Sequence, residues 1–297
     1  MPATTAAQDL LSADFLAQLE RLALLSRRSF RGRVRGERRS PRKGVSVEFS
    51  DYRPYGNGDD LRYVDWNIYG RLDRLYVKLF VDEEDLCLNL LVDGSGSMGF
   101  GGRSKLDFAS RLAAALGFVG LVNLERVGVG VLRDQLAEGW SPARGRKQVL
   151  PLLDFLGKMR PGGGTSLNEG LAAYALRARE AGLAVVISDL LAPEGYERGF
   201  KALLERRFDV HVIHLVSPEE MNPTFGGDLR LLDVESGEVR DLTVDAEALR
   251  AYRQRLRDFL ERAEGFCRTN EISYHRVVID TPVEEFMLRQ LKGLLVG

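Results

Sequence analysis

Two cysteines and three histidines among 297 residues leave the chain little of what zinc and redox chemistry use. Cys87 sits in the apolar run LCLNLLV and Cys267 near the end of a long helical stretch. Neither belongs to a CxxC pair, which excludes a zinc knuckle or a dithiol motif of the usual spacing. Both are expected to be buried, reduced thiols. His211, His214 and His275 fall in strand-like segments. Residues three apart in an extended run face opposite sides, so His211 and His214 are not placed to share a metal. Long apolar runs are also missing. The longest, LAAALGFVGLVNL over residues 112–124, falls short of the roughly 18 residues a membrane span needs. The opening MPATTAAQDLL carries an acid and no basic segment, unlike a signal peptide. The expectation is a soluble, cytoplasmic chain with no membrane span.

Charge of one sign is lacking as well. The formal net charge of −1 excludes a strong overall attraction to nucleic acid or anionic lipid. Locally the balance differs: residues 27–43 hold nine basic residues and one acid, Glu37. That arm lacks the regular aromatic interleaving of a single-strand binder, so nucleic acid is not the expected partner. A solvated arm or a dock for an acidic protein surface remain open. Enzyme motifs are absent too. A nucleophile elbow needs glycines two residues either side of its serine; Ser95 has Asp93 and Ser97, and Ser97 has Ser95 and Gly99. Neither glycine-rich stretch satisfies the phosphate-loop pattern GxxxxGK[ST].

What is present is an ordinary apolar fraction of 44%, enough for a sizeable core. Ser12 reads as the N-cap of a helix to about Arg28, with Phe15, Leu16, Leu19, Leu22 and Leu25 at helical spacing. Strand-like runs over 45–49 and 75–81 flank the turn-rich RPYGNGDDLRYVDW, whose Arg53, Asp59, Asp60, Arg62 and Asp65 suggest a charged network. These make an N-terminal part over residues 1–84: helix, basic arm and β-rich block. From 85 to 297 apolar strands alternate with helices. Strands are expected over 86–92, 127–133, 136–140, 183–188, 209–216 and 273–279. Helices are expected over 104–125, 147–159, 166–181, up to about 207, and 245–267, with a last one from Pro282. This alternation predicts an α/β fold with a doubly wound, mostly parallel sheet. A charged, glycine-broken stretch near 228–244 suits an edge hairpin inserted into it.

The chemistry concentrates in Asp93-Gly94-Ser95-Gly96-Ser97, directly after the first buried strand. In an open parallel sheet ligands bind beyond the carboxyl ends of strands, where strand order reverses. One carboxylate and two hydroxyls at alternate positions form an oxygen-only donor set, which hard cations such as Mg²⁺ prefer. Thr165, after the glycines 162–164, and Asp189, after the strand over 183–188, offer a further hydroxyl and carboxylate at the same predicted rim. Each has a plainer reading: Asp-Gly-Ser-Gly is common turn chemistry, and Thr165 or Asp189 could cap the helix that follows. The side chains are expected to line a surface, so that Asp93→Ala leaves the fold intact.

The constellation resembles the metal-ion-dependent adhesion site (MIDAS) of von Willebrand factor A domains: DxSxS, then a threonine, then an aspartate. The resemblance implies that Ser95 and Ser97 ligate Mg²⁺ or Mn²⁺ directly and Thr165 directly or through water. Asp93 and Asp189 then act largely through water, and a partner's carboxylate fills the open position. Many such domains have glycine after the last aspartate, where this chain has Leu190. The segment GVSVEFSDYRPYGNGDDLRYVDW, followed by GRLDRLYVKLF, is similar to the prokaryotic "domain of unknown function fifty-eight" group. The likeness covers most of the chain from about Arg31. It implies a von Willebrand-like domain after the block and association with MoxR-type AAA+ ATPases as adaptor or co-chaperone. The expected function is therefore a non-enzymatic, metal-dependent protein–protein interaction module. The competing expectation is a metal-dependent phosphoester hydrolase using Asp93.

Overall fold

The computed structural model of the chain describes residues 10, 12–22, 49–80, 87–100, 104–123, 125–134, 136–224, 226–232 and 237–294. The basic arm over 27–43, the end of the first expected helix and most of the strand expected over 45–49 lie outside them. The chain divides into two compact units, Arg33–Asp85 and the remainder. This cuts through the expected 1–84 block. The first helix, α1 over residues 13–22, goes with the large unit, because Phe15, Leu19 and Leu22 are buried in that unit's core. Ser12 caps it, its Oγ accepting the Phe15 N–H at 3.3 Å.

In the small unit, β1 (Phe49–Pro54) and β2 (Tyr76–Phe80) pair antiparallel, with α2 (Trp66–Leu72) between them in the chain. Its charges form separate pairs. Arg53 clasps Asp59 through two bonds of 2.6 Å, and Arg62 pairs with Asp60 at 2.6 Å. Asp65 N-caps α2, accepting from Asn67 and Ile68 N–H, and also receives Tyr52 Oη and Lys78 Nζ at 3.0 Å each. These bonds, Lys78 foremost, hold its carboxyl down at about 2.

The large unit continues with β3 (Cys87–Asp93), α3 (Lys105–Val122), β4 (Arg126–Leu132), β5 (Leu136–Arg144), α4 (Val149–Gly157), α5 (Leu167–Arg177) and β6 (Leu183–Ser188). Then come α6 (Glu197–Glu205), β7 (Asp209–Val216), α7 (Pro218–Met221), β8 (Gly227–Leu232), β9 (Val239–Val244), α8 (Ala246–Thr269), β10 (Ser273–Val278) and α9 (Val283–Leu294). Six strands form one sheet in the order β10-β7-β6-β3-β4-β5. All neighbours are parallel except β5, which returns antiparallel to β4. Alternation along β3 builds two cores. Leu88, Leu90 and Val92 pack with α3 and α4, while Leu91 packs with α5, α6 and α8. Every residue of β3 is buried, as a centre strand covered on both faces requires.

Two expectations change. The hairpin near 228–244 is not an edge of the central sheet: β8 and β9 pair with each other in a sheet of their own. Its residues are largely exposed on both faces, so it has no apolar side to lay against the main sheet. The strand expected over 136–140 extends to Arg144 because β4 offers it a partner along its whole length. Both cysteines are free and buried, and burial pushes the Cys267 thiol up to about 12. Among the described residues no helix is long and apolar enough to cross a membrane.

Candidate functional site

Strand order reverses between β3 and β6: the chain adds β4 and β5 on one side of β3, then β6, β7 and β10 on the other. Helices leaving neighbouring strands in opposite directions open a crevice at such a point. Asp93 is the last residue of β3, and Ser188 ends β6 beside it, with Asp189 the next residue. The Asp93 carboxylate accepts the Ser95 N–H at 3.0 Å on Oδ1 and the Ser188 hydroxyl at 2.6 Å on Oδ2. Ser188 Oγ in turn accepts the Leu190 N–H at 2.8 Å. The two strand ends are thus tied through side chains as well as by the sheet.

The loop after β3 is held close to β4 and to the glycine run. Gly94 N–H donates to Leu132 O at 2.8 Å, and a Cβ on Gly94 would lie 2.9 Å from Val131 Cγ1. Any larger residue would push Val131 aside. Gly96 N–H donates to Gly163 O and Gly162 N–H to Gly94 O, at 3.1 and 3.0 Å. Gly163 takes φ +77°, the left-handed turn that brings the chain back past Asp93 toward Thr165. Ser166 N–H then bonds Arg133 O at 3.0 Å, fixing the start of α5.

All five residues singled out in the sequence therefore stand on three loops at one rim. Ser95 and Ser97 are direct neighbours, their Oγ atoms 3.1 Å apart. Asp93 and Ser95 are 0% exposed, Asp189 2% and Thr165 8%; only Ser97 is half-buried. The expectation of a surface lining is corrected here. Asp93 is interior, and its carboxylate supports two hydrogen bonds whose loss would be felt by the fold. Burial, and after it the charge of Asp189, push the Asp93 carboxyl up to about 6, against the hydrogen bonds from Ser188 and Ser95.

Sequence reasoning missed the groups that surround Asp189. Lys105, the first residue of α3, is fully buried, and its Nζ lies 2.6 Å from Asp189 Oδ2 and 2.7 Å from Glu220 Oε1. Burial works against its charge, but the two carboxylates outweigh burial and raise its pKa. Leu191 N–H fills Asp189 Oδ1 at 3.1 Å. Glu220 is held by a capping box with Ser217 at the start of α7, a signal legible in Ser217-Pro218-Glu219-Glu220. His214 on β7 bonds Tyr274 Oη through Nδ1 at 2.7 Å, and burial pushes it down to about 4, against the pull of Asp189. His211 stacks on His275, ring centroids 6.0 Å apart.

The Ser95 and Ser97 hydroxyls are the donors whose spacing can be set against that of a small hard cation's ligands. Adjacent ligands of an octahedral Mg²⁺ lie about 2.9 Å apart, given bonds of about 2.0–2.1 Å, and the Ser95–Ser97 spacing is close to that. The raised pKa of buried Asp93 marks a carboxylate whose own surroundings under-compensate its charge. Among the described residues no group of three or more His, Cys, Asp or Glu is arranged to hold a metal. The donor set here has two carboxylates and relies on hydroxyls for the rest. Leu190, where many von Willebrand A domains carry glycine, takes the left-handed φ of 57°. That backbone shape favours glycine, and buried Leu190 contributes apolar packing from it.

The family described as "Protein of unknown function DUF58" matches residues 51–261. An uncharacterized protein of Mycobacterium tuberculosis, Rv1480, is 31% identical over 235 residues, covering 77% of this chain and 74% of that protein. The uncharacterized protein Mb1516 of Mycobacterium bovis matches to the same extent, 31% over 235 residues. Of solved structures, the conserved hypothetical protein BatB from Bacteroides thetaiotaomicron is 16% identical with a TM-score of 0.44, covering 71% of this chain and all (100%) of that one. The pilus adhesin SpaC from Lactobacillus rhamnosus GG, in its open conformation, is 12% identical with a TM-score of 0.45, covering 72% of this chain and 30% of that one. Neither likeness is close enough to transfer a property.

Proposed function

We propose that this chain, which belongs to the DUF58 family of proteins of unknown function, is a von Willebrand factor A-like interaction module that grips a partner through one divalent cation. The observation that carries the reading is the meeting of three loops at the strand-order reversal, with Asp93 and Asp189 side by side and Ser97 at the open edge. When bound, Mg²⁺ or Mn²⁺ supplies a coordination position that a partner's Asp or Glu completes. The chain's residues have distinct parts in this. Ser95 and Ser97 present adjacent hydroxyls, and Thr165 a third from the loop tied to Gly94 and Gly96. Both oxygens of Asp93 and both of Asp189 already accept hydrogen bonds, so these carboxylates act as fixed negative charges behind the hydroxyls. Phe100 and Leu191, 44% exposed on two of the same loops, give a partner apolar contact beside the charge.

The proposed partner is a cytoplasmic MoxR-type AAA+ ATPase or a protein it remodels, on the strength of the RPYGNGDDLRYVDW block. The hydrolase reading is disfavoured by Asp93 itself. A nucleophilic carboxylate needs a free oxygen facing substrate, whereas this one is 0% exposed with each oxygen engaged. Capture of a purified MoxR-type ATPase by the immobilised full chain tests the proposal. Retention in excess Mg²⁺ and release by chelator are expected, with no retention by Asp93→Asn. Equal capture by that variant in chelator would sink the mechanism.

A further inference from the structure

Among the described residues Lys105 is one of the large side chains that are fully buried, and it is a cation next to the site. Its position is over-determined. Ser104 Oγ donates to Met98 O at 3.1 Å, pinning the start of α3 to the turn after Ser97. Glu220, which shares Lys105 with Asp189, is locked from its other side. Its Oε2 accepts the Ser217 N–H at 2.7 Å, and its backbone carbonyl accepts Tyr252 Oη from α8 at 2.9 Å. Asp189, Lys105 and the half-buried Glu220 therefore form a chain of alternating charge. Asp93, Asp189 and Glu220 bring three carboxylates against one ammonium. Arg133 and Asp134, on the loop after β4, add one charge of each sign. The excess is two negative charges, the charge of one divalent cation.

We infer that Lys105 is a positioning residue that serves as a resident cation, holding Asp189 in place and setting the affinity of the neighbouring site for a divalent ion. The inference rests on the cation reading above and names what regulates that site. With Lys105 in place the fold balances part of its buried negative charge by itself, so a divalent ion is exchangeable and not structural. Asp189 Oδ2 is paired with Lys105 and Oδ1 accepts the Leu191 N–H, which holds the carboxylate in one orientation and leaves each oxygen one acceptor site for a water of a bound ion. This favours a small ion that retains waters over Ca²⁺, which takes more direct oxygens.

The test is Mn²⁺ binding to the full chain, read by loss of the free-ion paramagnetic signal, in wild type, Lys105→Met and Glu220→Gln. Removing the ammonium leaves a third excess charge and frees Asp189 Oδ2, so Lys105→Met should bind Mn²⁺ at least about tenfold more tightly. Glu220→Gln removes one negative charge from a residue that touches no proposed ligand position, and should bind about tenfold more weakly. Opposite signs are the signature, because two merely structural lesions would both weaken binding. In melting experiments, chelator should lower the melting temperature of Lys105→Met more than that of wild type, and Mn²⁺ should restore it. Should Lys105→Met not fold, Glu220→Gln decides alone: unchanged or tighter binding overturns the inference. Weakening by both variants, or by neither, also overturns it. Absence of Mn²⁺ binding in wild type instead overturns the cation reading beneath it.

Discussion

Asp93 and His214 titrate in opposite directions across one acidic window. Asp93 is raised from its ordinary 3.8 to about 6, so the folded state holds that proton more tightly than the unfolded chain. Its contribution to stability therefore falls as pH rises from about 3.8 to about 6 and is flat above. His214 is lowered from 6.5 to about 4, so the unfolded chain holds its proton more tightly, and stability rises with pH over about 4 to 6.5. In chelator the two nearly offset each other. Asp93→Asn keeps the side-chain shape and removes the falling arm. Its urea stability should climb between pH 4 and 6.5 while wild type stays flatter, the variant gaining on wild type by on the order of 3 kcal/mol across that window. Parallel curves would show that Asp93 is not a strained, buried charge. The sequence identified Asp93 as chemically special but not as interior. A DGSGS loop reads the same whether or not a following loop folds over it, and only the ties to Ser188 and Gly163 decide. Lys105 was hidden for a similar reason: a lysine after an N-cap serine looks like an ordinary exposed first turn.

The elements that place the loops are held by close backbone approach. Gly199 brings α6 against α5. A Cβ there would lie 2.8 Å from Leu167 O and 2.9 Å from Leu171 Cβ. Asn168 bridges the pair, accepting Gly199 N–H and donating to Glu194 O, each at 2.9 Å. Gly199→Ala should cost about 1–3 kcal/mol in denaturant melts, and it should weaken Mn²⁺ binding because α5 begins one residue after Ser166. Gly265 in α8 meets nothing within 4 Å and is the contrasting case. Gly265→Ala should gain about 0.5–1 kcal/mol. The reverse ranking would contradict the packing described. Strands at 183–188 and 209–216 were legible to the residue, since short runs rich in Val, Ile and Leu between helical stretches read as strands of a covered sheet. Helix ends were less so. The helix expected over 166–181 stops at Arg177, where Ala178 turns extended with ψ 125°. α7 was not anticipated, being a single turn held by its capping box.

At the scale of the molecule, the six-stranded sheet is self-sufficient and the β8–β9 hairpin an appendage. Replacing residues 226–244 with a flexible linker should leave a single cooperative melt within a few degrees of wild type. Loss of cooperativity would show that the hairpin belongs to the core. The alternation of strands and helices made this architecture legible in advance. The hairpin's detachment was not, because exposure on both faces depends on what lies opposite. The five oxygen donors were found one loop at a time in the sequence, whereas the charge that balances them comes from Lys105, itself shared with Glu220, 115 residues on. Counting Mn²⁺ bound to the full-length chain tests the central claim most directly. One ion per chain in wild type, displaced by Mg²⁺ and lost in Asp93→Asn and Ser97→Ala, is the result expected. No bound ion in wild type, or the same occupancy in both variants, would contradict it.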